Sequence, residues 1–308
     1  MSHAVSGPAP ASAPAPAFVF AVAAIGIGVF SVMDAAMKLL VIAIGVYNTM
    51  LWRSFGNVAI GLGLWSLGDR RWPSRTAWRL HGARGAVTTA MALLFFWGIA
   101  RVPLTLAVSI GYTAPVMALL LAALVLKERI DWRAPVASLA ALAGVGVILA
   151  GQARGDAPPD VWWGAAAIFA SAILYAVNLI LARLQALAAG PVEVALVQSL
   201  VVLVILGCAA PWLAVPPPAS LWPLIALAAG LGSISMLLLA WAYARGSASY
   251  LASSEYTSFV WAAALGWTVF GEPVSGWTLA GAGVIVAACL FAARRRDVVA
   301  TATLQSQT

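Results

Sequence analysis

The sequence predicts an all-α integral membrane protein with ten transmembrane helices, built as two inverted five-helix repeats with both termini in the cytoplasm. Three observations lead to this fold class: a scarcity of charge, a series of apolar runs of membrane-spanning length, and an internal repeat. Hydrophobic residues make up 63% of the chain and charged residues only 9%. A water-soluble domain carries about 25% charged residues. The chain is therefore expected to face lipid, where an apolar exterior is stable.

The apolar runs are each about 20 residues long, which is the length of helix that crosses a bilayer. Turn-forming sequences such as Gly190-Pro191 separate them. The first five spans form one repeat and the last five form the other, while the Ala- and Pro-rich start is expected to be a disordered tail and the end a basic cytoplasmic tail. The predicted spans are 18–39, 44–66, 84–101, 104–126, 132–151, 162–185, 192–213, 222–244, 248–270 and 275–293; the repeats are 18–151 and 162–293, and the tails 1–17 and 294–308.

The distribution of positive charge predicts the orientation. With the N-terminus in the cytoplasm, thirteen of the seventeen Lys and Arg residues lie on the cytoplasmic side, as the positive-inside rule requires. The net charge of +7 does not indicate nucleic-acid binding, because the basic residues fall between the apolar runs rather than along one face. Cys208 and Cys289 lie inside apolar runs and His81 lies in a basic loop, so neither a metal site nor a cofactor is predicted.

The internal repeat appears when the chain is compared with itself at an offset of 144 residues. Matches at Trp, Tyr, Arg and Glu under one offset are much rarer by chance than matches at Ala or Leu. Each copy holds five spans, an odd number, so the second copy enters the membrane from the opposite side. Inverted repeats of this kind are typical of secondary transporters, whose substrate site lies near the midplane between the halves. The matches are Trp97 with Trp241, Arg101 with Arg245, Tyr112 with Tyr256, Glu128 with Glu272, Asp34 with Asn178 and, after one inserted residue, Arg53 with Gln198.

Five short segments carry a pattern that is specific to one family. They are residues 99–105 (IARVPLT), 112–115 (YTAP) and 126–129 (LKER) in the first half, and 255–257 (EYT) and 270–273 (FGEP) in the second. These segments, together with Arg53, resemble the EamA-type signature of the drug/metabolite transporter superfamily, and the resemblance covers nearly the whole chain after the tail.

The resemblance implies a ten-helix secondary transporter of the bacterial inner membrane. One branch of the family exports amino acids, aromatic ones included. Other members carry riboflavin, S-adenosylmethionine, nucleotide sugars or drugs, and these substrates stay open. The implied partners are a small-molecule substrate, membrane lipid and a coupling proton.

Ionisable side chains inside a span cost about 2.5–3.5 kcal/mol on insertion scales and therefore need a reason. Asp34 and Lys38 are four residues apart on the first span, hence on one face of the helix. One interpretation is a local ion pair with Lys38 reaching the headgroups. The alternative is a polar lining of the external half of the transport pathway.

Arg53 and Glu255 lie near the middle of spans two and nine and have opposite charges. They could form a fixed ion pair between the halves. The functional alternative is that Arg53 receives a substrate carboxylate through a forked hydrogen bond, while Glu255 faces an ammonium group or binds a coupling proton. Glu272 and Glu128 are expected to be structural, tying helix ends to adjacent loops.

The remaining candidates are aromatic, amide and small residues. The tryptophans could equally belong to interfacial belts, and the amides could be packing contacts between helices. Pro115 would kink span four, and the small residues of span eight could form a hinge or a close helix contact. The candidate substrate-binding residues are Trp97, Trp241, Tyr112, Tyr256, Tyr175, Asn178 and Gln198, and the candidate hinge residues are Pro115, Gly230 and Gly232.

Three other function classes fit the sequence less well. An ATP-driven pump would need a GxxxxGK[ST] loop, which the sequence lacks. An enzyme would need a clustered nucleophile, base or metal set, and no catalytic residue is predicted. A channel would need an open polar pore or a ring of charges.

Overall fold

The structure is a computed structural model, and it describes residues 15–67, 73–114, 117, 121, 133–154, 158–186, 188–245, 251 and 253–293. Within these ranges the chain is helical, with no strand. Residues 1–14 of the predicted first tail, the whole second tail, Pro115 and Glu128 lie outside the described residues, and the first helix begins at Pro16, inside the predicted first tail. The helices are α1 (Pro16–Ser66), α2 (Arg75–Ile99), α3 (Leu104–Gly111), α4 (Arg133–Arg154), α5 (Pro159–Ala186), α6 (Pro191–Cys208), α7 (Ala210–Leu213), α8 (Trp222–Tyr243), α9 (Thr257–Phe270) and α10 (Gly276–Ala293).

Helix α1 folds back on itself at Gly45. That residue alone has non-helical backbone angles, φ 76° and ψ 159°, which a residue without a Cβ adopts at low cost. Gly26 packs against Leu238 and Gly56 packs against Ala229, so both limbs of α1 contact one short stretch of α8. A straight helix would separate residues 26 and 56 by about 45 Å. The two limbs, residues 16–44 and 46–66, correspond to the first two predicted spans.

Several helix boundaries differ from the prediction: α3 ends at Gly111, inside the predicted span 104–126, and the predicted span 192–213 is divided into α6 and α7. Helix α2 begins at Arg75 rather than at residue 84, because the Ser74 hydroxyl caps it by accepting a hydrogen bond from the Ala77 amide at 3.1 Å. The ninth predicted span is not one helix, because a 3₁₀ turn, Ser253–Tyr256, precedes α9. Helix α9 ends as predicted at Gly271, whose φ of 65° gives a left-handed cap.

The two repeats interlock instead of standing side by side. Gly56 packs against Ala229, and the repeat-equivalent contact joins Gly85 to Val201. The second span of the first repeat therefore packs on the third span of the second repeat. In the same way, the second span of the second repeat packs on the third span of the first. This reciprocal packing places the midline of the bundle between the repeats.

The exterior of the bundle is apolar. Trp267 is 71% exposed, Trp163 is 68% exposed and Val204 is 63% exposed, which suits a surface that faces lipid. Four helical stretches in the described ranges are long and apolar enough to cross a membrane, and the folded-back α1 is one of them. These stretches are Ala17–Ser66, Ala77–Ile99, Pro159–Ala182 and Ala219–Tyr243.

Candidate functional site

Two interrupted helices meet at the centre of the bundle. Helix α3 ends at Gly111 with Tyr112 as its C-cap residue, and the repeat equivalent of Tyr112, Tyr256, closes the 3₁₀ turn before α9. The two rings pack edge to face, with centroids 5.4 Å apart. The Tyr112 hydroxyl lies 2.7 Å from Ser258 Oγ and 3.3 Å from the Tyr256 carbonyl. Side-chain hydroxyls thus satisfy backbone groups that the broken helix cannot, which is a requirement inside a membrane.

Asp34 and Arg53 lie on the two limbs of α1, within electrostatic range of each other. Asp34 is 9% exposed, and its Oδ1 atom has no hydrogen-bond partner among the residues that the structure describes. Arg53 acts on Asp34 electrostatically without a direct ion pair, and its Nε atom is likewise unpartnered. Arg53 Nη2 lies 3.1 Å from the position that a Cβ atom on Gly232 would occupy, and its Cζ lies 5.9 Å from the Phe96 ring centroid. We call Asp34, Arg53 and Gly232 the charged cluster.

A comparable group of neutral side chains is formed by Asn178 and Gln198 of the second repeat with Thr88 of the first, and we call it the amide cluster. Thr88 Oγ1 donates to Asn178 Oδ1 at 3.2 Å and accepts from Gln198 Nε2 at 3.0 Å. Arg84 Nε donates to the same Asn178 oxygen at 2.9 Å. Asn178 and Gln198, both predicted site residues, are therefore held together by residues of α2.

Glu255 does not meet Arg53. In the described part of the chain, the ion pairs are Lys38 with Glu272 and His81 with Glu193, so the predicted Arg53–Glu255 pair is wrong. Glu255 is exposed and accepts a hydrogen bond from the Tyr243 hydroxyl at 3.1 Å. Because the helix is broken here, Glu255 lies on a 3₁₀ turn and not in the interior of a helix.

Lys38 does not pair with Asp34, and the predicted local ion pair is also wrong. The Lys38 ammonium, 4% exposed, bonds to Glu272, donates to the Val102 carbonyl at 2.7 Å and lies 4.7 Å from the Phe270 ring centroid. Glu272 Oε2 also accepts from the Leu104 amide at 2.9 Å. The structural role predicted for Glu272 is confirmed, since it ties the end of α9 to α1 and to the start of α3.

Trp97 and Trp241 have matching surroundings in the two repeats. The guanidinium of Arg101 lies over the Trp97 ring at 3.6 Å, and that of Arg245 lies over Trp241 at 4.4 Å. Each arginine also donates to the carbonyl of its tryptophan. Trp97 lines a cleft of about 540 Å³ beside the Gly45 turn, whereas Trp241 packs edge to face against Phe18. The structure therefore places the two tryptophans in separate clusters.

The other predicted residues are more dispersed. Tyr175 is 39% exposed and lies within electrostatic range of Glu255 and Arg84. Gly230 and Gly232 lie inside α8, which runs without a break from Trp222 to Tyr243. A Cβ atom on Gly230 would meet nothing within 4 Å.

Sequence reasoning placed His81 in a loop and counted Arg84 only as a cytoplasmic charge. Both lie inside α2, where His81 is fully buried. Gln185 contacts the His81 ring and Arg84, and His81 Nε2 lies 3.2 Å from Glu193. The spacing of residues 81, 84 and 88 puts them on one helical face and could have revealed the network. No group of three His, Cys, Asp or Glu side chains suited to a metal ion occurs among the residues that the structure describes.

Comparisons with known proteins bear on the family and the fold. The model of the EamA-like transporter family matches residues 16–150 and 162–294. A solved structure described as "Crystal structure of protein" shares the fold with a TM-score of 0.58 and 21% sequence identity, over 92% of this chain and 99% of that one. No curated protein matches. Because the family model covers both repeats and most of the sequence, the chain belongs to the EamA-like transporter family and is a multi-pass membrane transporter of small substrates.

Proposed function

We propose that this protein is a secondary active transporter that exports amino acids, aromatic ones included, across the bacterial inner membrane by alternating access. The observation that carries this proposal is the meeting of two interrupted helices at Tyr112 and Tyr256, one from each repeat. Secondary transporters bind substrate where discontinuous helices of two repeats meet near the midplane. Ten spans in two inverted repeats, over 18–151 and 162–293 with both termini in the cytoplasm, complete the proposed topology.

The substrate class is inferred from Arg53. A guanidinium in the interior of a membrane protein is costly, and it is retained where it binds something. Its fork of N–H groups fits a carboxylate through two parallel hydrogen bonds. Arg53 is only partly buried and its Nε atom has no partner, so a donor is available for a substrate carboxylate. Tyr112, Tyr256 and Tyr175 are proposed to contact the rest of the substrate, together with Asn178 and Gln198.

Glu255 is proposed to carry a coupling proton. It lies at the break before α9, is exposed, and bonds to the Tyr243 hydroxyl. A carboxyl group at a moving junction can exchange a proton with either side as the repeats rock. The ammonium-binding role considered for Glu255 is less suitable, because Glu255 forms no pair with Arg53.

The proposal is tested by uptake of labelled amino acids into liposomes that contain the purified protein, with and without a pH gradient. Saturable uptake that is lost in Arg53→Gln, while the variant still folds and inserts, supports both the function and the site. Uptake that survives Arg53→Gln keeps the function and removes the site. Transport of riboflavin, S-adenosylmethionine, a nucleotide sugar or a drug instead of amino acids would move the protein to another branch of the family.

Transport by a carrier can be separated from conduction by a channel in the same liposomes. A carrier exchanges substrate across the membrane, so substrate loaded inside should accelerate uptake of the labelled compound. A channel with an open pore gives no such stimulation. Stimulation by internal substrate is the expected result.

A further inference from the structure

We propose that Asp34 binds the ammonium group of the substrate, so that the charged cluster selects compounds that carry a positive and a negative group together. This inference rests on the proposed function and names the group that recognises the positive end. It replaces Glu255 with Asp34 in that role. The argument comes from a comparison of two places that the repeat makes equivalent.

The charged cluster and the amide cluster occupy equivalent positions in the two repeats. Asp34 corresponds to Asn178 and Gly232 to Thr88 at the offset of 144, and Arg53 corresponds to Gln198 after one inserted residue. The contacts correspond as well. Gln198 touches Thr88 at 3.0 Å, and Arg53 approaches Gly232. Each contact joins the second span of one repeat to the third span of the other.

In the amide cluster Asn178 Oδ1 is satisfied, although Gln198 Oε1 has no partner among the described residues, whereas the charged cluster lacks both donors that Asn178 receives. Asn178 Oδ1 accepts from Arg84 Nε and from Thr88 Oγ1. At the positions equivalent to these donors, the second repeat has Ala228 and Gly232. Neither can donate from a side chain, and Asp34 Oδ1 accordingly has no partner.

A buried carboxylate oxygen without a partner is costly, so the missing donors are expected to come from a ligand. Asp34 can accept from an ammonium group, and the unpartnered Arg53 Nε can donate to a carboxylate. An anion alone would leave Asp34 unpaired and would be repelled by it, while a cation alone would be repelled by Arg53. A zwitterion satisfies both side chains and leaves the membrane interior without added net charge.

Gly232 provides the space. A Cβ atom there would lie 3.1 Å from Arg53 Nη2, which is tighter than an ordinary van der Waals contact. A threonine at this position would recreate the hydroxyl of the amide cluster and occupy the place of the ligand. The absence of a side chain at Gly232 is thus part of the site.

The inference is tested by competition in liposomes without a pH gradient. Uptake of labelled phenylalanine is measured against unlabelled phenylalanine, 3-phenyllactate, which has a hydroxyl in place of the ammonium, and phenylalaninamide, which lacks the carboxylate. In the wild type, half-inhibition of uptake should need a concentration of either analogue that is at least about tenfold higher than that of unlabelled phenylalanine, since each analogue leaves a buried polar group unpaired.

The variants should separate the two ends of the substrate. In Asp34→Asn, 3-phenyllactate should compete within about threefold of phenylalanine, while phenylalaninamide stays weak. Arg53→Gln is expected not to transport, so binding of the same three compounds to the purified variant is measured instead, and the discrimination against phenylalaninamide should be lost. Retention of the wild-type preference for phenylalanine over 3-phenyllactate in folded Asp34→Asn would overturn the inference.

A second pair of variants covers the possibility that Asp34→Asn does not fold. Gly232→Thr should lower kcat/KM for phenylalanine about tenfold or more, whereas Ala240→Thr, an exposed site on the same helix, should keep the wild-type value. Equal transport by the two variants would contradict the inference. If the wild type carries none of the amino acids tested, the proposed function itself fails. If it carries phenylalanine, but 3-phenyllactate inhibits that uptake as strongly as unlabelled phenylalanine does, only this inference fails.

Discussion

The Tyr112 hydroxyl donates a hydrogen bond to Ser258 Oγ across the boundary between the two repeats, at 2.7 Å. The direction follows from Ser258, whose own proton goes to the Glu255 carbonyl at 2.6 Å. A side chain of the first repeat therefore secures the broken backbone of the second. When one repeat rocks against the other, this hydrogen bond either breaks or moves with both repeats. Its removal is therefore a direct test of the interface between them.

Tyr112→Phe should keep the ring contact with Tyr256 and remove the hydrogen bonds. We expect a loss of about 1 kcal/mol of stability together with a change in transport rate, because the contact lies where the two broken helices meet. Tyr47→Phe is the matched control, since the Tyr47 hydroxyl also crosses between the repeats, to the Leu206 carbonyl at 2.6 Å, but from a helix that is not one of the two broken ones. Heat unfolding in detergent and uptake in liposomes measure the two effects. Wild-type uptake kinetics in Tyr112→Phe would show that the contact has no part in the transport cycle.

Lys38 and Glu272 should each depend strongly on the other for the stability of the fold. Removal of one partner leaves a buried charge, which costs about 3–5 kcal/mol, so Lys38→Met and Glu272→Gln should each destabilise the protein markedly. The double variant should be much more stable than the sum of the two losses predicts. Denaturant unfolding of the four proteins gives the coupling energy.

The control is the same comparison of two single variants with their double variant, made for Lys38 and Asp34 in place of Lys38 and Glu272. Lys38 and Asp34 are neighbours on one helical face, but the structure does not pair them. The effects of Lys38→Met and Asp34→Asn should therefore add to within about 0.5 kcal/mol. A coupling as large as that between Lys38 and Glu272 would instead favour the local pair that the sequence alone suggested.

The contrast between Lys38 and Gly45 shows which features the sequence can reveal. The turn near Gly45 was expected from the alternation of apolar runs, since a helix that has crossed the bilayer has to return. The partner of Lys38 was not expected, because sequence spacing indicates only neighbours on the same helix. A long side chain can instead reach a residue far along the chain. The break at Ser253–Tyr256 was also missed, since its residues are not helix breakers and tertiary contacts determine it.

Repeat matching was informative about the site for a physical reason. Equivalent residues in two interlocked repeats occupy equivalent places, so a difference between them indicates a difference in chemistry. The offset brought Asp34 and Arg53 into correspondence with Asn178 and Gln198 before their contacts were known. It gave no indication that Arg84 and Thr88 of α2 satisfy the Asn178 oxygen, because those donors come from the opposite repeat.

Close packing of α4 on α10 should depend on Gly281. A Cβ atom there would lie 2.5 Å from the Gly144 carbonyl oxygen, which belongs to the backbone and cannot turn away. Gly281→Ala should therefore cost about 1–3 kcal/mol. Gly283→Ala in the same helix would meet nothing within 4 Å and should leave the unfolding midpoint unchanged or slightly raised. Equal midpoints for the two variants would mean that the helices separate readily at this point.

Glu255→Gln should uncouple transport from the proton gradient. If Glu255 exchanges a proton for substrate, wild-type uptake into liposomes rises when the lumen is acidic, because outward proton flow drives substrate inward. Glutamine keeps the size of the side chain and its hydrogen bond with Tyr243 but cannot carry a proton. Exchange of internal for external substrate should therefore continue in the variant, while the response of net uptake to the gradient disappears. A response of wild-type size in Glu255→Gln would show that another group carries the proton, and the buried carboxyl of Asp34 would be the next one to test.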